Sequence, residues 1–103
     1  MLYDKKWNEV KAAPKLEPWR QVLLDAADLI RKDGWIVGSR HSERGYCAVG
    51  AISQAAGWWR FGLRTRAENR LRRYLGHSIM FWNDALCSGK SKVIETLETV
   101  AKS

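Results

Sequence analysis

Cys47-Ala48-Val49-Gly50-Ala51-Ile52-Ser53-Gln54-Ala55-Ala56-Gly57 is the stretch that decides the fold. Nearly every residue from Cys47 to Ala56 is small or apolar. A helix apolar on most sides belongs inside a protein. Gly57 stops it. Gly50 in its interior costs about 1 kcal/mol against Ala, and the expected return is close approach of another backbone. The spacing therefore predicts a small-residue helix over about 47–56 at the centre of an all-α domain, with the rest of the chain packed around it.

Outward from that helix the chain divides readily. Pro18 suits a first helical position, where its missing N–H is not needed. Trp19, Val22, Leu23, Ala26 and Ile30 then recur at helical spacing, and Gly34 ends the helix in a left-handed conformation. Trp35-Ile36-Val37 reads as a short extended segment, followed by a polar loop from Gly38 to Gly45. A minor β-hairpin near 35–46 is expected there, closing on Tyr46. Beyond Gly57, Trp58-Trp59-Arg60-Phe61-Gly62 reads as an aromatic linker. Thr65-Arg66-Ala67-Glu68 has the form of a capping box that starts the next helix, with Ala67, Leu71, Tyr74 and Leu75 as its inner stripe and Gly76 at its end. Ser78-Ile79-Met80-Phe81-Trp82 suggests one helical turn before Asn83-Asp84. The last helix is expected over about Ser91–Ala101, with Val93, Ile94, Leu97, Val100 and Ala101 facing inward. The sum is a compact bundle of about four helices, with residues 17–103 as a single domain and residues 1–16 as an irregular arm carrying Tyr3 and Trp7.

A chain of 103 residues makes one domain with a thin core. Its 46% hydrophobic share argues against wholesale disorder. No apolar run approaches the roughly 18–20 residues needed to cross a bilayer, and the N-terminus lacks a secretory pattern. A cytoplasmic setting with reduced thiols is expected, and no membrane partner. The two Cys form no Cys-x-x-Cys pair and His41 and His77 stand apart, so neither a metal site nor a cofactor is expected.

The formal charge of +7 favours a polyanionic partner. It concentrates in Arg60, Arg64, Arg66, Arg70, Arg72 and Arg73, opposed there only by Glu68. Arg66, Arg70 and Arg73 fall at i, i+4 and i+7 and share a helix face. Guanidinium forks suit phosphate oxygens, and Trp58, Trp59 and Phe61 could stack on bases. The bland reading of such a run is a solvated helix face. His41, between Arg40 and Arg44, could join a phosphate site, although a loop His is commonly idle.

A second constellation is Cys47 at a helix N-terminus, where the dipole favours a thiolate, followed in chain order by His77 and Asn83 or Asp84. Nucleophile, base and orienting group need that mix, in the order of papain-like enzymes, but those place their His on a sheet and this chain offers almost no strands. The alternative is that Cys47 is a buried core residue and that Asn83 and Asp84 hydrogen-bond loop backbone, with Trp82 as a core anchor.

Ala26-Ala27-Asp28-Leu29-Ile30 with Gly34-Trp35, Cys47-Ala48-Val49-Gly50-Ala51-Ile52 with Ala55 and Ala56, Trp82-Asn83-Asp84-Ala85, and Val93-Ile94 with Leu97 together resemble a family of small bacterial and phage proteins catalogued as a domain of unknown function. The resemblance covers roughly residues 19–101. Other members follow the Trp-Asn-Asp piece with Pro-Gly-Arg-Thr, where this chain has Leu86-Cys87-Ser88-Gly89, and it implies that Ser88 takes over a helix cap given there by Thr. It implies a helical fold in a bacterial or phage cytoplasm and carries no catalytic residue across. The leading functional expectation is a non-enzymatic binding module whose Arg-rich face, with Trp58 and Trp59, meets nucleic acid or an acidic protein. The alternatives are a small cysteine-dependent hydrolase or transferase using Cys47 and His77, and a structural subunit, for instance a homodimer.

Overall fold

A computed structural model describes residues 16–57 and 60–103. Among these, α1 spans Pro18–Asp33, β1 His41–Ser42, β2 Gly45–Tyr46, α2 Ala48–Ala56, α3 Phe61–Leu75, α4 Ile79–Phe81 and α5 Lys90–Lys102, with a π-helical segment at Trp82–Leu86. The protein is mostly helical with one small antiparallel hairpin. The expected N-terminal arm, Trp58 and Trp59 lie outside the described residues.

α1 begins at Pro18 as its sequence dictates, and buries Trp19, Val22, Leu23, Ala26, Ala27 and Ile30. That stripe packs against α2, α3 and α5. Two long-range polar ties add to its grip on α5. The Arg20 guanidinium donates to the carbonyls of Ala101 and Ser103, where a cation suits the negative end of a helix. Arg31 pairs with Asp28 at 2.6 Å and reaches Glu98 at 2.7 Å. The Arg31 pairs are exposed and screened by water; the apolar stripe holds the two helices together.

α2 is the small-residue helix of the sequence. Cys47 is its N-cap, and Ala48, Val49, Gly50, Ala51, Ile52 and Ala56 are buried. It lies among α1, α3, α4 and the hairpin, so it shares the centre with α1. Gly50 touches the hairpin backbone: a Cβ there would stand 2.7 Å from the Arg40 carbonyl carbon and closer still to its oxygen. The same Arg40 carbonyl accepts from Cys47 N–H at 3.1 Å. The missing side chain therefore lets a helix and a hairpin strand meet main chain to main chain.

The hairpin pairs His41 with Tyr46 and Ser42 with Gly45. Trp35 bridges to Tyr46 in parallel, through Ile36 N–H to Tyr46 O at 3.1 Å and Tyr46 N–H to Gly34 O at 3.0 Å. Gly34 and Gly45 stand back to back, at φ +108° and +141°. A Cβ on Gly45 would fall 2.8 Å from the Gly34 Cα. Only glycine meets both the backbone angle and the space.

Three local expectations fail. The helix after Gly57 starts at Phe61, not at Thr65, so Phe61 and Gly62 belong to α3 rather than to a linker. Its N-cap, Arg60, makes no side-chain cap bond. Thr65 lies inside the helix, and Glu68 pairs at 3.8 Å with Arg64 one turn back instead of closing a capping box. Apolar contact outweighed the cap motif. Tyr74 is 57% exposed and leaves the inner stripe to Ala67 and Leu71, with Leu75 packed against them. Finally, α5 takes Gly89 as N-cap with no side-chain cap bond, so Ser88 does not cap it. The inward residues of α5 are Val93, Thr96, Leu97, Val100 and Ala101.

Candidate functional site

Asn83 sits at the junction of three elements. The one-turn α4 is started by Ser78, whose hydroxyl accepts from Phe81 N–H at 3.1 Å. The chain then widens into the π segment, closed by Cys87 N–H to the Trp82 carbonyl, five residues back, at 2.8 Å. π turns are rare and need a compensating gain. Here they turn two successive residues inward, Trp82 and Asn83, both buried.

The Asn83 amide uses its whole bonding capacity. Its Oδ1 accepts from Trp35 Nε1–H at 2.7 Å and from Ala48 N–H at 2.9 Å. Its Nδ2 donates to the Ile36 carbonyl at 3.1 Å and to Asp84 Oδ1 at 2.8 Å. Asp84 Oδ1 also accepts from Gly38 N–H at 3.2 Å. One side chain thus caps α2, orients Trp35 and fixes the segment that enters the hairpin. The Trp35 share of this clamp went unforeseen. The available signal was that a Trp N–H inside a protein wants an acceptor.

Cys47 is fully buried, and its Sγ accepts from Gly50 N–H at 3.4 Å, within the first turn of α2. The Asn83 carbonyl meets Ala48 N–H, one residue along. His77 lies exposed in the link before α4, with its ring centroid 5.7 Å from that of Phe81. Cys87 is half-buried, its thiol donating to Gly89 O at 3.6 Å. Native protein treated with iodoacetamide is therefore expected to be alkylated at Cys87 well before Cys47, read by peptide mass spectrometry. Fast labelling of Cys47 at neutral pH would revive the nucleophile reading.

The arginines of 60–73 divide between the two flanks of α3. Arg66, Arg70 and Arg73, with Gly62, Thr65 and Asn69, line one shallow groove of about 430 Å³, with no carboxylate among its described lining residues; Glu17, near Arg70, is held below its ordinary range chiefly by its hydrogen bond from Arg20. The Arg70 guanidinium carbon lies 4.6 Å from the Trp19 ring centroid, and that of Arg20 lies 4.4 Å from it, within cation–π range. Arg64 turns to the other flank, over the Phe61 ring at 5.1 Å. Arg64 and Arg72 there line a second cleft with Arg40, Ser53 and Glu68. Burial raises the Glu68 carboxyl above its ordinary range, and Arg64 opposes that shift. Arg60 bends back, its Nε donating to the Ala56 carbonyl at 2.7 Å. Arg72 donates to Asn69 Oδ1 at 2.8 Å.

Among the described residues no group of three or more His, Cys, Asp or Glu side chains could hold a metal ion. No helix among them is long and apolar enough to cross a membrane.

Fold and clamp define a small, mostly helical domain pinned by one buried asparagine, with arginines on both flanks of its third helix. The chain belongs to a family of unknown function (DUF6197), which it matches over residues 14–103. No curated protein and no solved structure matches it.

Proposed function

We propose that the protein is a non-enzymatic binding module that engages the phosphate backbone of nucleic acid through the groove of Arg66, Arg70 and Arg73. The observation that carries this reading is the convergence of three guanidinium groups on one groove without a carboxylate among its described lining residues. Arg forks bind phosphate oxygens in bidentate fashion, and Asn69 and Thr65 add neutral hydrogen-bonding groups beside them. The net charge of +7 draws a polyanion toward the whole surface. Arg70 leans on Trp19, so its guanidinium is held in place before any ligand arrives.

The test is fluorescence anisotropy with random-sequence DNA and RNA, single-stranded and duplex, at several salt concentrations. Affinity is expected to fall steeply with salt. In the Arg66→Glu, Arg73→Glu double variant, affinity should drop by about tenfold per arginine. The plot of log K against log salt should flatten by about one for each phosphate that an arginine no longer neutralises. These two residues are chosen because neither stacks on Trp19, so folding is left alone. A double variant that binds like the parent removes the reading. Polyglutamate binding as tightly as nucleic acid, and abolished in the same variant, would reassign the groove to an acidic protein.

A further inference from the structure

On the opposite flank of α3 from that groove, a cleft of about 410 Å³ opens between the hairpin, α2 and α3. Arg40, His41, Tyr46, Ser53, Gln54 and Arg64 line it, with no carboxylate among its described lining residues. Its walls are built. The Arg40 backbone is held by Cys47 N–H and seated on Gly50, which fixes where the Arg40 side chain departs. His41 and Tyr46 are cross-strand partners, with ring centroids 4.4 Å apart and planes inclined at 32°. Ser53 and Gln54 interrupt the otherwise small and apolar α2 at its one wetter edge.

Two polar atoms on this cleft stand out. Ser53 Oγ and Arg64 Nε are both buried, and neither has a hydrogen-bond partner among the described residues. Arg64 Nε lies 3.8 Å from Glu68 Oε2, an ion pair too long to be a hydrogen bond. Buried polar atoms in folded proteins nearly always have a partner. Here two donors without one lie on the wall that this cleft shares with the Glu68 cleft, beside a second guanidinium.

We propose that this cleft binds a nucleoside monophosphate, its phosphate held by Arg40, Arg64 and Ser53 and its base laid against the Tyr46–His41 pair. A phosphate oxygen accepts from the Ser53 hydroxyl and from Arg64 Nε–H, completing both, while Arg40 supplies the opposing fork. An aromatic face takes any base, because every base has a π-face. Gln54 offers an amide to the sugar or the base edge. The cleft volume falls in the range of small-molecule sites. Glu68 lies in the adjoining cleft, which shares Arg40, Ser53 and Arg64 with this one, so its charge favours an anion on the hairpin side of these shared residues. The inference does not rest on the Arg66–Arg73 groove.

Isothermal titration of the full chain with AMP, inorganic phosphate and adenosine tests it, alongside amide chemical shifts. AMP is expected to bind more tightly than either fragment and to shift the amides of Tyr46, Ser53 and Gln54. Arg40→Met and Arg64→Met should each weaken AMP binding about tenfold, with helical circular dichroism unchanged. The Arg66→Glu, Arg73→Glu variant should bind AMP like the parent. A 5′-phosphorylated trinucleotide that binds more tightly than AMP would support the same site and make its source a strand end; weaker binding supports a free nucleotide. No AMP binding, binding indifferent to both Met substitutions, or AMP no tighter than inorganic phosphate would overturn the proposal.

Discussion

Replacing Asn83 by alanine is expected to lower the stability of the domain by about 3–5 kcal/mol. The change deletes the shared acceptor of one buried donor, Ala48 N–H, and one half-buried donor, Trp35 Nε1–H, and the donor to the Ile36 carbonyl. A buried group left without its partner costs about 1–3 kcal/mol, and the void where the amide stood adds to that. For a chain of this length each kcal/mol moves the midpoint of thermal unfolding by about 4–8 °C. The drop should therefore be of order 15 °C or more, a large share of the ~5–15 kcal/mol that holds a typical domain together. Asn83→Asp isolates the donor half of the clamp. It keeps Oδ1 for Trp35 and Ala48 but turns a second oxygen toward the Ile36 carbonyl and Asp84. It should destabilise at neutral pH and recover part of the loss in acid, when a protonated carboxyl can donate again. Thermal melts followed by circular dichroism check both. An Asn83→Ala melt within a degree or two of the parent would show that the clamp holds nothing.

Gly50→Ala should carry the opposite sign from what its helix suggests. Alanine in a helix interior is favoured over glycine by about 1 kcal/mol. At this position the added methyl would meet the Arg40 main chain, which has no flexible end to swing aside. The hairpin must withdraw, and the Arg40–Cys47 hydrogen bond loosens with it. The expected net effect is a loss of about 1–3 kcal/mol. Gly62→Ala is the matched control. Gly62 also lies in a helix, but a Cβ there meets nothing within 4 Å among the described residues. That substitution should stabilise by about 0.5–1 kcal/mol. If both glycines respond alike in urea titrations, backbone contact at Gly50 is not what constrains it.

Periodicity located the helices well wherever one face was apolar. Pro18 and Gly34 bracket α1, and the small-residue run from Cys47 gives α2 nearly to the residue. Local motifs served less well. Thr65 and Glu68 have the composition of a cap, yet the helix begins a turn earlier, because packing of Leu63 and Ala67 on the core favours continuing it. Ser88 next to Gly89 likewise reads as a cap and is none. The amide and carboxylate after Trp82 were visible as polar residues in need of partners. Their partners were not, because Trp35, Ile36 and Gly38 lie nearly fifty positions away. Trp82 reads as a core anchor from its own chemistry, but a π turn leaves no signature in the pattern of apolar residues, so nothing in the spacing foretold that Asn83 would be fully buried beside it. The arginine run illustrates the same limit. Spacing grouped Arg66, Arg70 and Arg73, which share a groove. It could not tell that Arg64 would join Arg40, because that depends on where the hairpin lands.

The grip of α1 on α5 sets the order in which this molecule can be born. Arg20 finds its acceptor 81 positions downstream, and Arg31 finds Glu98 67 positions downstream. Closing so wide a loop comes late, because the entropy it removes is offset only once the far segment arrives. On the ribosome, the α1 stripe can meet α2 and then α3 first, but its α5 side stays open until residues 90–102 are made. Docking of α5 is therefore the last step by which the apolar face of α1 is closed off from water.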